Sequence, residues 1–305
     1  MLKKIIANTI LALLLVGMSA LAFNIRPAKA SGTIYIRADG SINPPTAPIA
    51  TVDNVTYTFT GNVDDSIVVE RDSIIDDGQG YVVQGTGSRE GIYLSGRSNV
   101  TIKNMEIKTF SFGIFLYDSS NNSIWGNNIT ANSYDGILLL SSRNNTVSEN
   151  NITANSMYGL RLFSSLNNMA CRNNVANNRY GIYLEEESSN NTFRDNNMTG
   201  NRFSFHVSSW PLSGYINDVD VSNTVDGKPV YYWISKQALV VPANAGYVAL
   251  VNCTHIAVEN VNPKGVLLAY TVDSIITNND MANNGYGVYL AFSSNNSIVE
   301  NNMTN

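Results

Sequence analysis

Gly113-Ile-Phe-Leu, Gly136-Ile-Leu-Leu, Gly159-Leu-Arg-Leu and Gly181-Ile-Tyr-Leu recur along the chain at intervals of 23, 23 and 22 residues. Each opening leads through a Ser-Ser or Asn-Asn turn to a run of the type Asn127-Asn-Ile or Asn150-Asn-Ile. A fixed period of this length is the signature of a solenoid, in which one repeat buries its apolar side only by stacking on the next. One and three places after the glycine stand Ile92/Leu94, Ile114/Leu116, Ile137/Leu139, Leu160/Leu162 and Ile182/Leu184. Alternation at period two places such pairs on one face of a short strand, the face turned into the coil. Ile102/Ile107, Ile124/Ile129, Val147/Ile152 and Ile276/Met281 fill two further sides in the same way. So short a repeat has no room for a crossover helix. The expected fold is therefore all-β, a right-handed three-sided parallel β-helix.

The period extends in both directions. It begins at Gly91, meets Ser204 where the next glycine is due, and resumes at Gly246, Gly265 and Gly287, with Phe205/Val207, Val266/Leu268 and Val288/Leu290 as inward pairs. Residues 31–66 hold short β-type runs without the period and are expected to form an N-terminal cap on a solenoid spanning 67–305. Within 224–245 the period breaks, and Asp226-Gly227 between β-formers signals a hairpin that leaves the coil. The chain stops at Asn305 in mid-repeat, which suggests that the solenoid continues beyond it, since such stacks need capped ends. Residues 1–30 read as a signal peptide: Lys3 and Lys4 precede an apolar run from Ile5 to Phe23, and Ala28-Lys29-Ala30 offers a cleavage site. The alternative is an uncleaved membrane anchor. Either assigns the remainder to a secreted, periplasmic or cell-surface location.

Asparagine recurs at fixed places, at Asn127, Asn150, Asn173 and Asn196 and again at Asn132, Asn155, Asn178 and Asn201. Coils about 4.8 Å apart let such side chains hydrogen-bond up and down a column, and Asn tolerates the left-handed backbone of corners. The same repeats create acceptor patterns for N-glycosylation, among them Asn54-Val-Thr, Asn99-Val-Thr, Asn128-Ile-Thr and Asn197-Met-Thr. The 305 residues carry 19 Lys and Arg against 24 Asp and Glu, a net charge of −5. That balance and the absence of a basic stripe exclude a nucleic-acid partner. Cys171 and Cys253 lie too far apart in the repeat scheme to suggest a disulfide.

The outward positions of the first strand, two and four places after the glycine, are unusual. They read Tyr93, Phe115 with Tyr117, Leu138 with Leu140, Arg161 with Phe163, Tyr183 with Glu185, and His206. A contiguous aromatic stripe on a soluble surface calls for a partner. One reading has Tyr231, Tyr232 and Trp233 of the excursion, or a second subunit in a homo-oligomer, fold over it. Another makes it a platform for a polysaccharide or a glycoprotein glycan, with Tyr93, Phe115, Tyr117, Phe163 and Tyr183 meeting sugar rings while Arg161, Glu185 and His206 bond hydroxyls. A catalytic version would use Glu185, Glu186 and His206 beside Arg161 in a polysaccharide hydrolase, lyase or epimerase. Glu149, Arg172 and Asp195 alternate in sign in successive coils and suggest a salt ladder.

This strand-and-corner grammar resembles the right-handed β-helix repeats of carbohydrate-binding and sugar-hydrolysing proteins. Ile74-Ile-Asp-Asp-Gly-Gln-Gly-Tyr-Val-Val-Gln-Gly and Asn223-Thr-Val-Asp-Gly-Lys-Pro-Val-Tyr-Tyr-Trp are similar to segments of NosD-like proteins, the periplasmic copper-binding β-helix family. The resemblance implies export and a three-sided coil, and for the founding members a helper role in maturing the copper centre of nitrous oxide reductase; a membrane-associated partner is a further expectation. Copper is implied by the resemblance alone. The residues themselves offer only His206 and His255 in different coils, with Met198, Met281 and Met303 in an interior column, and no ligand cluster of the kind copper selects.

Overall fold

The structure is a computed structural model and describes residues 32–282 and 284–304; the expected signal peptide lies outside the described residues. From Ile67 to Val225 the chain winds through seven coils, each giving one strand to each of three sheets. The first sheet contains Glu90–Ser95, Phe112–Tyr117, Asp135–Leu140, Tyr158–Phe163, Tyr180–Glu185 and Phe203–Ser208. These pair in parallel, so that Tyr93, Phe115, Leu138, Arg161, Tyr183 and His206 lie side by side. The inward pairs from Ile92/Leu94 to Phe205/Val207 are all buried, as period-two alternation requires.

Each corner divides its work between two successive residues. The first takes left-handed backbone, as at Asn121 (φ 58°), Glu149 (φ 57°) and Ala154 (φ 56°). The second is a buried Asn, or at the end of the first strand a buried Ser such as Ser119 or Ser142, that reaches along the stack. Asn150 accepts from the backbone N–H of Asn127 (3.0 Å) and from its Nδ2 (3.0 Å), and donates from its own Nδ2 to the carbonyl of Ile124 (2.9 Å). Three such columns run through Asn122–Asn217, Asn127–Asn223 and Asn132–Asn201. They satisfy backbone groups that the turns leave unpaired. The repeat glycine is required by close approach: a Cβ on Gly136 would stand 2.5 Å from Ile152 Cγ2 and 2.7 Å from the Gly159 carbonyl. Of the charged column, Arg172 pairs with Glu149 at 2.7 Å, whereas the amide N–H of Asp195 lies 2.8 Å from Ser222 Oγ.

At the N-terminal end, Ile34–Ile36 adds to the first sheet and Thr56–Phe59 to the second, each followed outward by a short antiparallel strand, Ile42–Asn43 or Ile49–Ala50. Antiparallel edges of two residues offer little template for another chain. Tyr57 and Phe59 fill the core there.

Residues 224–245 do not leave the solenoid, contrary to the sequence reading. Asp226 (φ 47°) and Gly227 (φ 79°) reverse the chain, and Lys228–Ile234 runs antiparallel to Thr224–Val225. It then becomes the first strand of a second stack, followed in parallel by Tyr247–Val251, Val266–Ala269 and Val288–Ala291. Tyr247–Val251 is buried on both faces. Tyr247, Ala249 and Val251 join Phe205 and Tyr232 in the first core, while Val248 and Leu250 join Ile276 and Met281 in a second. The reversed strands thus cover the end of the first stack. The expectation that Tyr231, Tyr232 and Trp233 fold over the stripe is also corrected: Tyr232 packs edge-on to Phe205 and Tyr231 and Trp233 flank the second core. In the last described coil Leu290 and Met303 are exposed, not interior, because no described coil lies above them.

Candidate functional site

The outer face of the first sheet carries two adjoining columns of rings. One is the stripe expected from sequence. Tyr93 meets Phe115 at 5.4 Å, Arg161 occupies the next coil but one, and Tyr183 stacks on His206 at 5.2 Å with an interplanar angle of 11°. The second column, missed in the sequence, comes from the residues just before the repeat glycine. Phe112, Tyr134, Tyr158, Tyr180, Phe203 and Tyr286 follow one another with centroid separations of 5.6, 6.0, 4.9, 4.3 and 4.8 Å. Its signal was legible as aromatic residues one or two places before Gly113, Gly136, Gly159, Gly181 and Ser204.

The rings are not equivalent. Between Tyr158 and His206, Tyr158 stacks on Tyr180 and Tyr183, Tyr180 on Phe203, and Tyr183 on His206, with Tyr180 and Tyr183 tilted by 47° to each other, so these faces are largely taken up by one another. Tyr93, Phe115, Phe112 and Tyr134 are tilted or edge-on, and Tyr117 and Tyr134 are exposed. Free ring faces therefore belong to the N-terminal half of the stripe, whereas Tyr183 presents a stacked ring.

Arg161 is the centre of the face. Its guanidinium lies 4.7 Å from the Tyr158 ring and 5.5 Å from that of Phe163, and its Nε and Nη2 donate to Glu185 Oε2 at 3.0 and 2.5 Å. Beneath it Asp135 Oδ2 stands 3.9 Å from Nη1. Asp135 has no exposed surface and neither oxygen has a hydrogen-bond partner. Desolvation pushes its pKa up to about 8, with Arg161 pulling the other way. Sequence reasoning missed it, although it is a charged residue in a column otherwise aromatic apart from Glu90. Burial pushes the Tyr158 hydroxyl up to about 12.

The catalytic candidates do not converge. Glu185 is held by Arg161. Glu186 sits at an exposed left-handed corner (φ 54°) instead of on the face. His206 is 6% exposed, clasped by Tyr183 and the edge of Tyr289, and desolvation lowers its pKa to about 4.

Copper has no matching donor set among the described residues. His206 is enclosed by rings in the first stack, while His255 is exposed in the second with Nδ1 3.0 Å from Thr254 Oγ1. Cys171 and Cys253 are unpaired and buried, and burial raises both thiols. Met198 and Met281 face interiors. No three His, Cys, Asp or Glu among the described residues gather as a metal site would require.

Residues 49–227 match the family model described as "Periplasmic copper-binding protein (NosD)". Among curated proteins none matches the sequence. Of solved structures, a periplasmic alginate epimerase, AlgG, is similar over 80% of this chain and 46% of its own, at 17% identity and a TM-score of 0.38. An alginate lyase from Paenibacillus sp. is similar over 79% of this chain and 90% of its own, at 14% identity and TM-score 0.43. A tailspike of the E. coli bacteriophage HK620 is similar over 80% and 47%, at 14% and 0.39. The chain spans about half the length of the epimerase and of the tailspike.

Proposed function

The chain belongs to the NosD family of periplasmic copper-binding proteins, and from that premise we propose that this member is an exported polysaccharide-binding protein whose binding surface is the outer face of the first sheet. The observation that carries the reading is the pair of ring columns from Tyr93 and Phe112 to His206, one of them interrupted by Leu138 and Arg161, with Arg161 and Glu185 at the centre. Partly exposed rings beside fixed polar groups suit a ligand that is apolar on its ring faces and polar at its edges, as pyranoses are. Tyr93, Phe115, Tyr117 and Phe163 supply ring surface, and the Arg161–Glu185 pair supplies one donor and one acceptor group to hydroxyls. The polymer would lie across the coils, along the columns. The family's copper chemistry does not enter this reading, because the described residues do not assemble donors for the metal.

A catalytic reading rests on a different observation, the two carboxyl groups on either side of Arg161. Asp135 would be the acid and Glu185 its partner, the arrangement that glycosidic cleavage exploits when two carboxyl groups differ in protonation. The zero exposure of Asp135 counts against contact with a substrate.

The test is a polysaccharide pull-down and glycan array on the exported chain beside a Phe115→Ala/Phe163→Ala variant of unchanged circular dichroism. Binding that the variant loses supports the platform. A folded wild-type chain that retains no glycan removes it. Asp135→Asn and Glu185→Gln, assayed for release of reducing or unsaturated ends, decide between binding and turnover.

A further inference from the structure

The C-terminal half of the same face bears two cations without counter-charges. Arg179 and Arg202 each stand two places before the glycine position of their coils, so their backbones are one coil apart, about 4.8 Å. Both are exposed. Their guanidinium carbons lie 5.8 Å from the ring centroids of Tyr180 and Phe203 respectively. Among the described residues neither is in an ion pair, and the polar contact recorded for the Arg179 side chain is Met157 Sδ at 3.7 Å. Asp226, which accepts from the Gly200 amide two residues before Arg202, is paired with Lys264. Like charges in register on neighbouring strands repel. In a chain whose net charge is −5, this pair is a local positive site and not part of a basic surface.

Beside Arg202 the seam between the two stacks forms a crevice of about 20 Å³, lined by Ser204, His206, Lys264, Tyr286 and Tyr289 among others. Ser204 Oγ is buried there without a hydrogen-bond partner. The space admits one water-sized group, such as a carboxylate oxygen.

We infer that Arg179 and Arg202 select an acidic polysaccharide, one with a carboxylate on successive sugar residues, by holding consecutive carboxylates one coil apart while the chain continues over the rings toward Tyr134 and Phe115. The inference rests on the glycan-binding reading above and names its ligand class. Arginine pairs with carboxylate through two parallel hydrogen bonds, which gives geometric as well as charge selection. Repeated anionic groups along a polymer match repeated cations along a stack. A neutral polymer would leave the two arginines unanswered.

The experiment compares polygalacturonate with its fully methyl-esterified form, which keeps the sugar rings and removes the charge. Both are titrated onto the exported chain and onto an Arg179→Gln/Arg202→Gln variant, with circular dichroism melts showing that these exposed substitutions leave the fold intact. The inference expects tighter binding of the acid form, a loss of tenfold or more in the variant for that form alone, and weakening with added salt. Equal binding of both forms by both proteins overturns the anionic selection and leaves the glycan-binding reading in place. Failure of the wild-type chain to bind either form removes that reading and this one together.

Discussion

Replacing Asn150 by Ala tests the claim that buried asparagine columns, and not strand pairing alone, hold the coils in register. Asn150 is 1% exposed. The substitution removes the acceptor of the Asn127 backbone N–H at 3.0 Å and a donor to the Ile124 carbonyl at 2.9 Å. Asn127 Nδ2 keeps its bond to the Ile102 carbonyl, and Asn173 Oδ1 keeps the Asn150 backbone N–H, so these two lose only one partner each. A buried polar group left without a partner costs about 1–3 kcal/mol; the Asn127 N–H is one such group, while the Ile124 carbonyl stays in the parallel ladder with the next coil and joins the weakened ones, so the sum is about 2–4 kcal/mol. The control is the next residue. Asn151 is exposed and its side chain bonds Asn128 and Asn174 at 2.8 and 2.7 Å, and Asn151→Ala is expected to change stability by no more than about 0.5 kcal/mol. Equilibrium urea unfolding followed by far-UV circular dichroism reads both. Equal effects at the two positions would refute the assignment of structural weight to the inner column.

Two further outcomes follow from the core. Asp76 and Asp135 are each pushed up to about 8 by burial, from 3.8, so the folded chain binds more protons than the unfolded one between those values and stability falls as pH rises. His206, lowered from 6.5 to about 4, acts in the opposite sense between those values and fades only above pH 6.5; from pH 6.5 to 8 the difference between wild type and a variant that keeps His206 isolates the carboxyls. Wild-type protein is expected to lose up to about 1.4 kcal/mol per pH unit per carboxyl there, and Asp76→Asn/Asp135→Asn to flatten that slope; an unchanged slope in the variant contradicts the assignment. Gly136→Ala places a methyl group 2.5 Å from Ile152 Cγ2, whereas at Gly265 the nearest atom is 3.2 Å away. Overpacking should cost the former about 1–3 kcal/mol or more and the latter under about 1 kcal/mol, and the two melting curves should not coincide.

The solenoid was legible because its rule is local. An apolar residue one and three places after a repeat glycine must point inward, and Ile92 through Val207 do so. The corner asparagines were legible as a column but not as a division of labour, since Glu149 and Arg172 hold left-handed backbone that sequence preference would assign to Asn or Gly. The reversal at Asp226-Gly227 was read as a hairpin, correctly, yet its consequence depends on what the emerging strand packs against. Both faces of Tyr247–Val251 are apolar because each meets a different core, and no local pattern distinguishes that from a strand inside one coil. On the outer face, Tyr93, Phe115 and Arg161 were placed by counting from the glycine. Asp135 and the Tyr158–Phe203 column precede it, where the strand continues past a glycine that is out of the ladder register, so counting forward never reached them.

The most direct measurement is chemical labelling of exposed tyrosines, quantified by mass spectrometry with and without a saturating polysaccharide. Tyr117 and Tyr134, 44% and 37% exposed, lie on the proposed platform, while Tyr81, also 37% exposed, precedes a strand of the third sheet, on another face of the stack. The account predicts protection of Tyr117 and Tyr134 with Tyr81 unchanged. Protection of Tyr81 to the same degree, or none at Tyr117 and Tyr134 when the polymer is bound, would contradict it.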